Sequence, residues 1–120
     1  MTGAPRRICV TGPESTGKTT LARQLAESAG APWVAEASRI HAERVGRPLL
    51  ASDVEPIASA HIVMADDGAA RAALAGAPLL FLDTDLISTV IYARHYYGAV
   101  PRWIEREARM RLAHLYLLCD

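Results

Sequence analysis

The chain has 120 residues, 51% of them hydrophobic, and a formal net charge of zero. This length and composition suit one globular domain with a substantial core. A neutral chain without a basic run gives no electrostatic reason to expect nucleic-acid binding, and the lack of any apolar stretch of about 18 residues argues against a membrane span. Arg6 and Arg7 precede only a brief apolar run. We therefore expect no signal peptide and a cytoplasmic location.

The first predicted strand, residues 6–11, runs directly into a glycine-rich segment. Residues 12–19 match the complete phosphate-binding pattern G-x-x-x-x-G-K-[ST], and a helical pattern follows them. Such a loop directs backbone N–H groups and a helix N-terminus at phosphate oxygens. Lys18 is the only lysine in the chain; it is expected to neutralise the outer phosphates, while the Thr19 hydroxyl suits a Mg²⁺ ligand position. The predicted nucleotide-binding residues are Gly12, Pro13, Glu14, Ser15, Thr16, Gly17, Lys18, Thr19 and Thr20.

The next elements are predicted from turn residues and periodicity. The first helix should end near Gly30, and a short strand over residues 32–36 should lead into a second helix that ends before Gly46. Ser52 and Glu55 form a capping-box pattern at the start of a long amphipathic helix. His61 lies on the apolar stripe of this helix, and we interpret it as a packing residue rather than a ligand or base.

Two acidic residues follow the third predicted strand, the apolar run at residues 79–82. A run of this kind suits a parallel strand covered on both faces, and ligands bind beyond the carboxyl ends of such strands. Asp83 therefore fits a Mg²⁺ site, reached through water, and Asp85 fits a base near an acceptor hydroxyl. The alternative is that Thr84 or Asp85 caps the next helix.

The last third of the chain predicts two helices and a buried strand over residues 115–119. The first helix carries Ile91 on its inward side and ends in Arg94, His95, Tyr96 and Tyr97, which are either a charge and a stacking ring for a ligand or an aromatic helix end packed on the core. Cys9 and Cys119 are interpreted as buried, reduced thiols. The order of elements predicts an α/β fold with a parallel sheet.

Four segments together resemble the P-loop domains of NadR-type nicotinamide-riboside kinases, which are also classified as AAA-type ATPase domains. The segments are residues 12–21, 36–39, 81–85 and 91–98. The resemblance implies a three-layer P-loop NTPase fold of nucleoside-kinase type, in which the strand ending at Asp83 lies beside the P-loop strand. It also implies transfer of phosphate from ATP, with Mg²⁺, to nicotinamide riboside or a similar nucleoside.

The resemblance adds further expectations about the site. Lys18, Asp83 and Asp85 are the expected catalytic residues, with Thr19 and Asp83 at the metal. Glu36 and Arg39 fall where nucleoside kinases often bind the acceptor, although a surface ion pair is the alternative. Glu14 would either repel phosphate or line the acceptor side.

The family continues past the position of residue 120 into an arginine-bearing lid and a final strand. Residues 1–120 are accordingly expected to form a single, incomplete domain with an uncovered sheet edge that favours self-association. Two other functions stay open at this point: an ATPase that couples hydrolysis to a partner, and a nucleotide-binding module without turnover.

Overall fold

The computed structural model describes residues 4–13 and 17–119, and its centre is a four-stranded parallel sheet. The strands are β1 (Arg6–Thr11), β2 (Trp33–Val34), β3 (Leu79–Asp83) and β4 (Leu115–Leu118), and they lie side by side in the order β2-β3-β1-β4. All three pairings are parallel. The α/β class, the four strands and the placement of β3 beside β1 are confirmed.

The helices follow the predicted order. They are α1 (Lys18–Ala29), α2 (Ala37–Val45), α3 (Val54–Ala75), α4 (Leu86–Tyr97) and α5 (Arg102–Met110), with a 3₁₀ turn at Ala51–Asp53 before α3. Helix α1 ends at Gly30, which adopts the left-handed conformation expected of a helix-ending glycine (φ 62°). Within the described ranges, no helix has both the length and the apolar character needed to cross a membrane.

Helices cover both faces of the sheet. Leu80 and Leu82 of β3 pack with Cys9 and Val34 against α3, whereas Phe81, which points to the opposite face, is also buried and α1 packs against that part of the sheet. Gly68 lets α3 approach closely, because a Cβ atom there would lie 2.7 Å from Cγ2 of Val34. The result is the expected three-layer arrangement with the P-loop strand in the middle of the sheet.

A second apolar cluster joins α3, α4 and α5. Its buried members are Val54, Ala58, Leu86, Val90, Ala93, Ile104 and Ala108. The prediction that Ile91 turns inward is wrong, since its side chain is exposed. Val90 and Ala93 occupy the inward positions, so Ile91 falls on the solvent side of α4.

Two further expectations need correction. Strand β4 is not buried: it lies at the edge of the sheet, and Leu118 is 74% exposed. For the same reason Cys119 is only partly buried, although Cys9 is fully buried and both thiols are free. The Ser52 capping box is also absent, because α3 begins after a 3₁₀ turn and the carboxylate that accepts a backbone N–H there is that of Asp53, from Leu50 (2.7 Å).

Candidate functional site

The glycine-rich segment lies between the end of β1 and the start of α1. Gly12 has φ 144° and a Cβ there would lie 2.3 Å from the carbonyl oxygen of Cys119, so only glycine fits. Gly17 caps α1 with φ 81°, and no side-chain capping bond or first-turn acid occurs at this helix end among the described residues. These features leave the partial positive charge of the helix N-terminus available to an anion. Pro13 is exposed, and the predicted contacts of Glu14, Ser15 and Thr16 lie outside the described residues.

Thr19, the second residue of α1, contacts the end of β3. The Thr19 hydroxyl donates to Oδ2 of Asp83 (2.6 Å) and accepts from Nη1 of Arg39 (2.9 Å). The other carboxylate oxygen of Asp83, Oδ1, is buried and has no hydrogen-bond partner among the described residues. A buried carboxylate oxygen without a donor is unfavourable unless something else binds it.

This unpartnered oxygen makes the Thr19–Asp83 pair a fit for a hard divalent cation. Within residues 4–13 and 17–119, no group of three or more His, Cys, Asp and Glu residues could hold a metal. Mg²⁺ does not require such a group, because it binds through one or two protein oxygens and takes its other ligands from phosphates and water.

Lys18 forms a buried ion pair with Glu36. The Lys18 Nζ atom lies 3.5 Å from Oε2 of Glu36, and the two side chains are 4% and 9% exposed. Glu36 occupies the N-cap position of α2 without capping it, which leaves its carboxylate directed at Lys18 and at the Thr84 hydroxyl (3.3 Å). Glu36 and Arg39 therefore do not form the surface ion pair that was the alternative; each contacts a residue at the start of α1.

The turn between β3 and α4 holds its two acids in different directions. Thr84, between them, has φ 64°, a left-handed conformation that is strained for a β-branched residue. Its N–H donates to the Val10 carbonyl (2.9 Å), which fixes the turn against β1. Asp83 consequently faces Thr19, and Asp85 starts α4, where its Oδ1 accepts from the N–H of Ile87 (3.1 Å).

Asp85 has a second partner from the edge strand. The Tyr116 hydroxyl donates to Oδ2 of Asp85 (2.6 Å) and accepts from the N–H of Ala113 (3.1 Å). Burial and the hydrogen bond to Asp85 raise the pKa of Tyr116 to about 12, so its proton stays in place at neutral pH. Asp85 thus both caps α4 and is held by β4, and the residue also lines the cavity described next.

A cavity of about 400 Å³ extends from Lys18 between α2, α3 and α4. Its polar lining residues include Lys18, Glu36, Arg39, Thr84 and Asp85. Its other walls are largely apolar or aromatic, and they include Leu49, Val54, Ile57, His61, Tyr92 and Tyr97. A volume and lining of this kind suit a small organic molecule with one polar end and one flat ring.

The wall formed by residues 47–53 is fixed by the Asp53 carboxylate. Asp53 is buried and accepts from both terminal nitrogens of Arg47 (2.8 and 3.1 Å), from Nε2 of His41 (2.8 Å) and from the N–H of Leu50 (2.7 Å). The Arg47 hydrogen bonds, with those from Leu50 and His41, hold the pKa of Asp53 well below its usual value. These hydrogen bonds therefore hold residues 47–53 in one conformation beside the cavity.

Some predicted residues lie away from the cavity. Thr20 is exposed beside an open groove with Arg23 and Trp33. Arg94 pairs with Glu105 on α5, and Tyr96 is exposed and stacks on Tyr92 (4.5 Å between ring centroids). Of the four residues that end α4, Tyr97 alone lines the cavity, where its hydroxyl donates to the Leu49 carbonyl (3.0 Å).

Four residues of the site were not predicted from the sequence: Asp53, Thr84 in its strained conformation, Tyr92 and Tyr116. Tyr92 had a visible signal, since it precedes Tyr96 by one helical turn and Tyr97 by five residues. Tyr116 also had one, because a hydroxyl in an otherwise apolar strand needs a partner. Thr84 depends on a contact with Val10, which is distant in sequence, and had no such signal. The partners of Asp53 are 3 to 12 positions away, but the pattern of residue types does not show that they converge on its carboxylate.

The sequence matches the profile of a protein family described as AAA domain over residues 7–120. The chain belongs to this AAA domain family. Two crystal structures of NadR protein, one in complex with NR and the other with NAD and AMP-PNP, resemble this AAA domain with TM-scores of 0.77 and 0.75, each at 27% sequence identity. Each match covers 95% of this chain but only 33% or 34% of the NadR chain.

A third structure supports the fold alone. Thymidylate kinase from Ehrlichia chaffeensis matches 98% of this AAA domain and 73% of its own chain, with a TM-score of 0.66 at 16% identity. A search of curated protein sequences found no match. The predicted resemblance to NadR and the kinase-like P-loop fold are thus confirmed.

Proposed function

We propose that this AAA domain is a P-loop kinase domain that transfers the γ-phosphoryl group of ATP to the 5′-hydroxyl of nicotinamide riboside or a similar nucleoside. One observation carries the proposal: Lys18, the predicted phosphate-binding residue, and Glu36 and Arg39, the predicted acceptor-binding residues, line a single cavity. Lys18 and Thr19 come from the P-loop side, and Glu36 and Arg39 reach them from α2. The likeness to NadR in complex with NR and with AMP-PNP supports the same assignment.

The nucleotide would bind at the start of α1. Gly12 and Gly17 permit close approach of the backbone, and the helix N-terminus attracts the phosphates. The proposed contacts are Gly12, Pro13, Glu14, Ser15, Thr16, Gly17, Lys18, Thr19 and Thr20. On ATP binding, the Lys18 ammonium would exchange the Glu36 carboxylate for the outer phosphates.

Thr19 and Asp83 are the residues that would hold Mg²⁺. When bound, the ion neutralises phosphate charge. The buried Oδ1 of Asp83 and the adjacent Thr19 hydroxyl provide the hard oxygen ligands that this ion prefers. Arg39, which donates to the Thr19 hydroxyl, is close enough to the proposed metal position to contact the transferred group.

The acceptor would occupy the rest of the cavity. Its ring would lie against the aromatic walls formed by Tyr92 and Tyr97, and its hydroxyl would face Asp85. In the transfer, the 5′-oxygen bonds to the γ-phosphorus as the bond to the bridging oxygen of ADP breaks, and the hydroxyl proton passes to the Asp85 carboxylate. The hydrogen bonds from Ile87 and Tyr116 fix the direction of that carboxylate. Glu36 is the next candidate for the base.

The proposal is tested by ATP consumption with and without added ribosides. We expect little ADP release without acceptor and formation of nicotinamide mononucleotide when nicotinamide riboside is present. Steady ATP hydrolysis that no riboside changes would indicate an ATPase, and MgATP binding without any turnover would indicate a binding module. Either result would refute the kinase assignment.

A further inference from the structure

His61 of α3 lines the cavity one helical turn after Ile57. Its side chain is only 6% exposed. Within residues 4–13 and 17–119, no hydrogen bond or ion pair involves its ring. The ring nitrogens are not among the fully buried atoms without a partner, so they are accessible from the cavity, and a ligand there can hydrogen-bond them.

The other histidines show what a structural role looks like in this protein. His41 contacts Asp53 (2.8 Å), and Nδ1 of His114 accepts the N–H of Arg7 (2.9 Å). His95 is exposed. His61 is the histidine that is buried and unpartnered, and it faces the space in which an acceptor would lie.

The protonation state of His61 limits what it can bind. Burial lowers its pKa, an effect that nearby Arg111 reinforces and that Asp85 and Asp66 only partly oppose. The ring is therefore neutral at pH 7 and offers one N–H donor and one nitrogen acceptor. A neutral ring also avoids repulsion of a cationic pyridinium.

We propose that His61 is a specificity-determining residue that hydrogen-bonds the amide edge of the acceptor's ring. A carboxamide has a carbonyl oxygen that accepts and an N–H that donates. The protonated nitrogen of a neutral imidazole can donate to the first, and the unprotonated nitrogen can accept from the second. This inference rests on the proposed kinase function and goes further, since it assigns the part of the acceptor that the cavity recognises and the residue that recognises it.

The test compares two ligands and two histidine variants in the intact chain. Calorimetry measures the Kd of nicotinamide riboside and of pyridinium riboside, which lacks the carboxamide, for wild type, His61→Leu and His114→Leu. His61→Leu should weaken nicotinamide riboside binding about tenfold, the usual effect of one hydrogen bond in a buried site, and should change pyridinium riboside binding less than about twofold. His114→Leu should change neither Kd, and MgATP affinity should be the same in all three proteins.

A thermal melt separates recognition from packing. Leucine removes an unsatisfied polar group from a buried position, so the Tm of His61→Leu should equal or exceed that of wild type. His61→Gln, which keeps a donor and an acceptor, should retain most of the affinity for nicotinamide riboside. His61 does not recognise the amide if His61→Leu binds nicotinamide riboside as wild type does, or if it loses affinity for both ribosides equally. Neither result would contradict the proposed kinase function. If wild type binds MgATP but neither riboside, the proposed function fails and the His61 assignment fails with it.

Discussion

Replacing Glu36 by Gln tests the central contact of the site, the Lys18–Glu36 ion pair. At 3.5 Å, two unit charges attract by about 5 kcal/mol for an effective dielectric constant of about 20. Removing one partner of a buried pair costs about 3–5 kcal/mol, because the other charge stays buried. Glutamine keeps a carbonyl oxygen that can accept from Lys18, so we expect the low end of this range, about 3 kcal/mol, and a Tm lower by about 10 °C.

ATP should reverse part of this loss. In wild type, bound nucleotide must draw Lys18 away from Glu36, whereas in Glu36→Gln the ammonium has no anionic partner to leave. We therefore expect the Kd for MgATP, measured without acceptor, to fall about tenfold, which corresponds to about 1.4 kcal/mol of added stabilisation at one saturating ATP concentration. The Tm difference between the two proteins should narrow by about 5 °C when MgATP is present.

Differential scanning calorimetry with and without MgATP measures both effects, and titration calorimetry gives the Kd. Asp67→Asn is a matched control, because Asp67 forms an exposed pair with Arg71 (3.0 Å) and should contribute less than about 0.5 kcal/mol. The reasoning is refuted if Glu36→Gln melts like wild type without nucleotide, or if MgATP raises the Tm of the two proteins equally.

Four further substitutions test other parts of the site and core. Asp83→Asn should impair the Mg²⁺-dependent step for every acceptor, whereas Asp85→Asn should lower riboside phosphorylation by about 10²–10⁴-fold and leave MgATP affinity unchanged; equal activity of Asp85→Asn and wild type would place the base elsewhere. Gly68→Ala should lower the Tm by about 4 °C despite its better helix propensity, because the new methyl group meets Val34, and a higher Tm would show that α3 can shift at no cost. Tyr116→Phe should flatten the pH dependence of stability above pH 10: the folded pKa of about 12 exceeds the ordinary value of 10.0, so wild type binds more protons when folded and loses stability as pH rises between these values. Urea midpoints at pH 8 and pH 11, the latter between those two values, measure this difference, and identical slopes for both proteins would contradict it.

Much of the fold could be predicted because its signals are local. The apolar run at residues 79–82 and the glycine after α1 each depend on neighbours in sequence, so the strand and the helix end are where the pattern placed them. The exposure of β4 could not be predicted, since an apolar strand has the same composition at the centre of a sheet and at its edge. The prediction for Ile91 was wrong because α4 has apolar residues on more than one side. Its packing against α5 buries only the side that carries Val90 and Ala93.

The candidate site also has residues that could be predicted from the sequence and contacts that could not. The P-loop and the two acids after β3 were visible as motifs, whereas the partners of those residues were not. Lys18 pairs with Glu36 and Asp85 with Tyr116 across 18 and 31 positions of the chain, and nothing local specifies either contact. His61 was interpreted as a packing residue from its place on the apolar stripe. It is indeed buried there, but the stripe also forms a wall of the cavity.

The hydrogen bond from Tyr116 to Asp85 links the border of the sheet to the part of the cavity where we propose that the acceptor binds. Strand β4 pairs with β1 on one side and has no neighbour on the other among the described strands. Any segment or second copy of the chain that pairs with this outer side would restrict the motion of Tyr116, and through it the carboxylate of Asp85. If a ligand binds better when Asp85 is restrained, pairing at the outer side of β4 would raise the affinity for that ligand. By thermodynamic reciprocity, the bound ligand would raise the affinity of the pairing by the same factor. Measurements of pairing at β4 and of acceptor binding would then report the same conformational equilibrium of Asp85.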